Sequence, residues 1–122
     1  MNRAIGVILM CAWATLARGA DLTGTWQIQY RDDDGVSRSS PKLILQQSGD
    51  KLTGKFGKND WPVTGAVDRD HVVFIFTAFG HENGQAISDT VFYWGDRDST
   101  GKMKGRMKNP KEAGDWVATK VE

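Results

Sequence analysis

Residues 22–30, Leu-Thr-Gly-Thr-Trp-Gln-Ile-Gln-Tyr, alternate between two faces. Leu22, Gly24, Trp26, Ile28 and Tyr30 fall on one; Thr23, Thr25, Gln27 and Gln29 fall on the other. Successive side chains of a strand point to opposite sides, so this spacing predicts a half-buried strand. Further runs of strand character cover 42–47, 51–57, 61–67, 71–79, 87–95, 102–108 and 115–121. Turn chemistry separates them: Asp34-Gly35, Ser48-Gly49-Asp50, Asp68-Arg69-Asp70, Asn83-Gly84, Asp96 to Gly101 and Asn109-Pro110. No stretch sustains a helical period. Short strands at regular intervals with turns between them predict an antiparallel meander.

Four of the runs share the order apolar, x, Gly, x, apolar. They are Leu22 to Trp26, Leu52 to Phe56, Val63 to Val67 and Met103 to Met107. In each, the glycine lies on the same face as its two apolar neighbours. Glycine weakens a strand unless a bend or a close approach needs it. A sheet curling into a small barrel needs such bends. The expected fold is therefore all-β: an eight-stranded antiparallel up-and-down barrel. A β-sandwich of the same strands, with the glycines as plain turn residues, is the alternative.

The first segment stands apart from this pattern. Residues 4–17, AIGVILMCAWATLA, carry no charge and lie between Arg3 and Arg18. As a helix they span about 21 Å, short of the roughly 30 Å of a membrane core. A basic start, a short apolar stretch and a small-residue exit predict a secretory signal peptide over 1–19, with Ala17, Gly19 and Ala20 as competing cleavage positions. A retained N-terminal anchor is the alternative. The expected address is secreted or periplasmic, and residues 20–122 form a single domain that is not membrane-embedded.

Removing the leader changes the chemistry. Its two arginines go, leaving 14 basic against 15 acidic residues, so the formal +1 of the whole chain becomes −1. No nucleic-acid role follows from that balance. Cys11, the only cysteine, goes too. The remaining domain has no disulfide to rely on, no thiol nucleophile and no cysteine metal site.

Gly24-Thr25-Trp26 on the first strand resembles the opening of lipocalin-like and avidin-like barrels, the calycins. In those families a basic residue on the last strand packs over the tryptophan and helps close the barrel. Trp116-Val117-Ala118-Thr119-Lys120 resembles the avidin-type last strand, with Lys120 where Arg usually stands. The resemblance implies a lipocalin-like barrel over 20–122, with Trp26 and Lys120 as its closure. It does not imply a biotin binder. Avidin-type sites place an Asn two residues after the tryptophan, where this chain has Ile28, and a Tyr where it has Phe56. The cysteines and C-terminal helix of true lipocalins are also missing.

Turns after strands 1, 3, 5 and 7 share one end of such a barrel and are the longer set, a common setting for a ligand mouth. Inward glycines at 24, 54, 65 and 105 leave volume, and Trp26, Tyr30, Phe56, Trp61 and Tyr93 would line it. The expected partner is a small apolar ligand; the alternative is that these rings fill the interior. On the outside, Phe92 and Trp94 face away from Val91 and Tyr93. That suggests an interface for a protein partner or a second copy, or else an irregular core covered by a loop; the alternative function is a secreted protein-interaction or inhibitor module that uses this outer face of strands 5 and 6 or the rim loops and holds no ligand. Lys102, Lys104, Arg106 and Lys108 form a basic stripe with no aromatic residue between them on strand 7, which reads as a solvated face.

Catalytic constellations are lacking. His71 opens strand 5, His81 falls in the loop expected over Gly80 to Ala86, and the two are expected at opposite ends. No Gly-x-Ser-x-Gly motif occurs. Asp96 to Gly101 imitates a calcium loop, but its twelfth position is Met107 rather than Glu, so a β-turn is expected. The chain is read as a binding protein, not an enzyme, with no cofactor and no metal.

Overall fold

The computed structural model describes residues 21–37 and 41–121. The expected leader and its exit positions lie outside the described residues. Eight strands follow in order: β1 Gly24–Asp32, β2 Lys42–Ser48, β3 Lys51–Phe56, β4 Trp61–Asp68, β5 His71–Glu82, β6 Gln85–Arg97, β7 Met103–Lys108 and β8 Ala113–Lys120. Each pairs antiparallel with the next, and β8 returns to pair with β1 over Trp26↔Lys120 through Asp32↔Gly114. The sheet is thus a closed barrel, not a sandwich. Closure leaves no open edge, so backbone donors and acceptors are spent inside the fold. Among the described residues there is no helix, hence none long and apolar enough to cross a membrane.

The alternation read from the sequence becomes the inside and outside of the wall. Trp26, Ile28 and Tyr30 of β1 are buried, as are Leu43 and Leu45 of β2, Val72, Phe74 and Phe76 of β5, and Val91 and Tyr93 of β6. One end of the barrel is solidly filled. Leu22, just before β1, tucks under it at 1 % exposure, and the Trp26 Nε1–H donates to its carbonyl at 3.0 Å. The Leu22 N–H in turn donates to the Gln47 side chain at 2.8 Å. On β8, the strand next to β1, the Trp116 Nε1–H donates to the Arg106 carbonyl at 2.8 Å. Each buried indole thereby keeps its one donor satisfied.

The glycines do something other than leave volume. A Cβ on Gly54 would lie 1.9 Å from the Ile44 carbonyl oxygen, and one on Gly105 would lie 2.0 Å from that of Trp94. Gly65 is equally crowded, by Val73. Neighbouring backbones have moved into the missing side chain's space. The repeated glycines therefore allow strands to bend across one another as the sheet closes, and the expectation that they open a cavity is corrected.

A second correction concerns the stretch expected as a loop over 80–86. β5 and β6 continue pairing to Glu82↔Gln85, joined only by Asn83-Gly84. Both turn residues have positive φ, 53° and 80°. A two-residue Asn-Gly turn of this hand matches the twist of the strands, so nothing ends the ladder before it. His81 accordingly sits in β5 opposite Ala86, not in a loop. The result is a two-stranded ribbon with exposed residues on both faces.

Candidate functional site

The end opposite the filled floor is open. A cavity of about 910 Å³ lies there, at the rim carrying the β1–β2, β3–β4, β5–β6 and β7–β8 connections. Its apolar wall comes from inward positions near the upper ends of β3 to β6. Phe56 and Phe76 stack with centroids 4.0 Å apart and planes 21° from parallel. Trp61 lies nearly parallel to Phe76 at 6.0 Å, and Tyr93 packs on Phe56 at 5.6 Å. Beneath this layer Phe74 stacks on Tyr93 at 4.8 Å, and Trp116 meets both rings edge-on. The rings of Phe56, Trp61, Phe74, Phe76, Tyr93 and Trp116 form one continuous cluster.

Of the rings expected to face a ligand, Tyr30, Phe56, Trp61 and Tyr93 all line this cavity. Trp26 does not; it belongs to the floor, tied to Leu22. Sequence reasoning missed Phe76, Ala78, Val91 and Met107, which complete the wall. Alternation places Val91 and Met107 inward, whereas the signal for Phe76 is masked. Val72 to Phe76 is apolar at every position, so periodicity could not say which residues point inward. The register with β4 decides it, pairing Phe76 with the buried Val63.

Burial raises the Tyr93 phenol well above its ordinary range, with smaller contributions from Tyr30 and Glu112. Tyr93 therefore stays protonated at any physiological pH and offers the mouth a hydroxyl, not an anion. Around the rim the cavity is bordered by Asn59 and Asn109, by Lys42, Lys55 and Lys58, and by Asp60 and Glu112.

Other rim acids serve the scaffold. The Asp32 carboxylate accepts from the backbone N–H groups of Asp34 and Val36, holding the turn after β1. Asp33 reaches the Arg106 guanidinium at 2.8 Å, and Asp115 reaches it at 3.0 Å. The hydrogen bond from Arg106 holds the Asp33 carboxyl below its usual range. Lys111 pairs with Glu82 at 2.5 Å, fastening the ribbon to the β7–β8 turn. Of the basic stripe, Arg106 is neutralised in this way. The stripe also has aromatic neighbours that β7 alone does not show: Phe92 stands opposite Lys108, and Trp94 opposite Arg106.

Phe92 and Trp94 are 45 % and 42 % exposed on the outer wall. Their β5 partners there are Ile75 and Val73, and Val73 is also exposed. Lys120 stands opposite Trp26 at the closing seam and is exposed. His71 contacts Asp96 at the start of β5, far along the strand from His81. Asp98 Oδ1 accepts from the backbone N–H groups of Thr100 and Lys102, so the calcium-like sequence is occupied as a turn. No group of three or more potential metal ligands occurs among the described residues. No protein-family model matches the chain, and no curated protein matches it in sequence.

Proposed function

We propose that this protein is an exported, lipocalin-like barrel that binds a small apolar ligand in its open mouth. The observation that carries the reading is the ring wall of Phe56, Trp61, Phe76 and Tyr93 bordering a cavity of about 910 Å³. A concave site walled by rings and aliphatic groups, with its polar and charged residues confined to the rim, suits binding of a small molecule. Export is supported by the leader-like residues 1–19. The wall also suits water: Lys42, Thr53, Lys55, Thr64, Lys104 and Lys108 point outward and are exposed, where a membrane barrel carries an apolar belt.

The test is a homologous series of neutral alkyl probes. Each added methylene should strengthen binding by about 0.8 kcal/mol until the mouth is full. Tryptophan emission should change with it, because Trp61 lines the cavity. If no member of the series alters emission or thermal stability, the mouth is not a binding site.

A second reading is favoured by one observation, the outward patch of Val73, Ile75, Phe92 and Trp94. It makes the protein an interaction module, binding a partner or its own copy through β5 and β6. Native mass spectrometry separates the two readings, since it reports bound small molecules and subunit number together.

A further inference from the structure

The cavity does not end at its ring wall. It continues past the β3–β4 turn onto the outer faces of β2 and β3, where Lys42, Ile44 and Lys55 border it; Lys58 borders it from the turn itself. Strand parity explains the cluster. Leu43 and Leu45 point inward, so Lys42 and Ile44 point outward. Ile44 stands opposite Lys55, and Lys55 opposite Pro62, which places these side chains in one outer row.

These three ammonium groups differ from Arg106 and Lys111 on the β7–β8 side of the barrel. Arg106 and Lys111 are engaged by Asp33, Asp115 and Glu82. Lys42, Lys55 and Lys58 form no ion pair among the described residues. The carboxylates at the cavity's edge are Asp60, in the same turn as Lys58, and Glu112, in the β7–β8 turn. In an eight-stranded barrel β7 lies across from β3, so Glu112 is on the far side of the opening. Set against Asp60 alone, the β2–β3 edge of the mouth keeps an excess of positive charge. An isolated cation cluster beside an apolar cavity attracts an anion whose remaining surface is apolar.

We propose that the ligand of this mouth is an anionic amphiphile. Its apolar part lies against Phe56, Trp61 and Phe76, and its acidic head crosses the β3–β4 turn to Lys42, Lys55 and Lys58. This rests on the apolar-ligand reading above and adds the head group's charge and direction.

The probes are decanoate, decanol and decyltrimethylammonium, each below its micelle concentration, titrated at low and at 0.5 M salt (about 0.5 M, where screening acts within roughly 4–5 Å). The protein is that recovered from expression of the full chain. Decanoate should bind about tenfold more tightly than decanol at low salt, the sum expected of a few exposed ion pairs, and high salt should erase the difference. The K42Q/K55Q/K58Q variant should lose that advantage and bind decanol as before. A control variant, K104Q/K108Q, on the distant β7 wall should behave as wild type. Equal affinity for decanoate and decanol, or a preference for the cation, overturns the anionic head while leaving apolar binding intact. Failure of all three probes to bind overturns the binding reading itself. The wild-type comparison decides the matter even if the triple variant folds poorly.

Discussion

Trp26 and Lys120 stand directly opposite each other across the β1–β8 seam that closes the barrel. They contribute unequally. Trp26 is 1 % exposed and bonded to the Leu22 carbonyl, whereas Lys120 is exposed; the Asp21 carboxyl is held low by hydrogen bonds from Thr23, with the Lys120 charge a smaller contribution. Trp26→Ala should cost roughly 3–5 kcal/mol, as other large aromatic truncations in cores do. Lys120→Ala should stay within about 0.5 kcal/mol. Urea denaturation midpoints check both; equal effects would mean that the lysine secures the seam as much as the indole does.

Closure also depends on glycine at places where strands touch. Gly105→Ala drives a Cβ to 2.0 Å from the Trp94 carbonyl oxygen, and Gly95 across from it leaves no room to retreat. The expected loss is at least about 1–3 kcal/mol, the range for overpacking. Gly80, in the protruding ribbon, has open space where a Cβ would stand and a φ outside the left-handed region. Gly80→Ala should be neutral or stabilising by about 0.4–1 kcal/mol. Thermal unfolding of the two variants should move in different directions.

The mouth can be blocked without disturbing the floor. Ala78 lines the cavity and is only partly buried. Ala78→Trp should project a ring into the opening and weaken binding of alkyl probes by about tenfold or more, the loss of a methylene or two of contact. The unfolding temperature should change little. A variant that binds the probes as tightly as wild type would move the site elsewhere.

Acid should release the ribbon. The hydrogen bond from Lys111, aided by its charge, holds the Glu82 carboxyl below its ordinary 4.5, and Glu82 raises Lys111 in return. A depressed carboxylate stabilises the docked form above its unfolded value. That contribution fades as pH falls below about 4.5 and through the folded-state value. Amide protection across Phe79 to Ser88, taken as exchange relative to the intrinsic rate at each pH, should fall over that window, and Glu82→Gln should remove that pH dependence. Protection that is flat with pH in wild type would show that the pair does not hold the ribbon.

At high pH the sign reverses. Burial raises the Tyr93 phenol far above 10, so the folded state resists losing that proton while the unfolded chain gives it up near 10. Stability is intact below pH 10 and should fall steadily above it. Tyr93→Phe should flatten the alkaline limb, followed by denaturation at pH 8, 10 and 11. An unchanged slope would place the titrating group elsewhere.

Most of the architecture was legible in the chain because a barrel wall is written in a period of two. Leu43, Leu45, Val63, Val67, Met103 and Met107 are buried where their alternation put them, and Phe92 and Trp94 are outside where theirs did. Asn83-Gly84 was legible as a turn, but the chain alone did not tell how far β5 and β6 would run before reaching it. Tyr30, Phe56, Trp61 and Tyr93 could be placed inward, yet parity says nothing of height along the barrel axis. Height is set by register, strand tilt and which end the neighbours fill. That is why Trp26, on the same face of the same strand as Tyr30, seals the floor while Tyr30 borders the mouth. The glycines show the same division. Their positions were evident, but only the approach of neighbouring strands determined that they close the wall rather than open a cavity. The cation cluster at Lys42, Lys55 and Lys58 is the extreme case: three residues on two strands and a turn become one feature only when those elements share an edge.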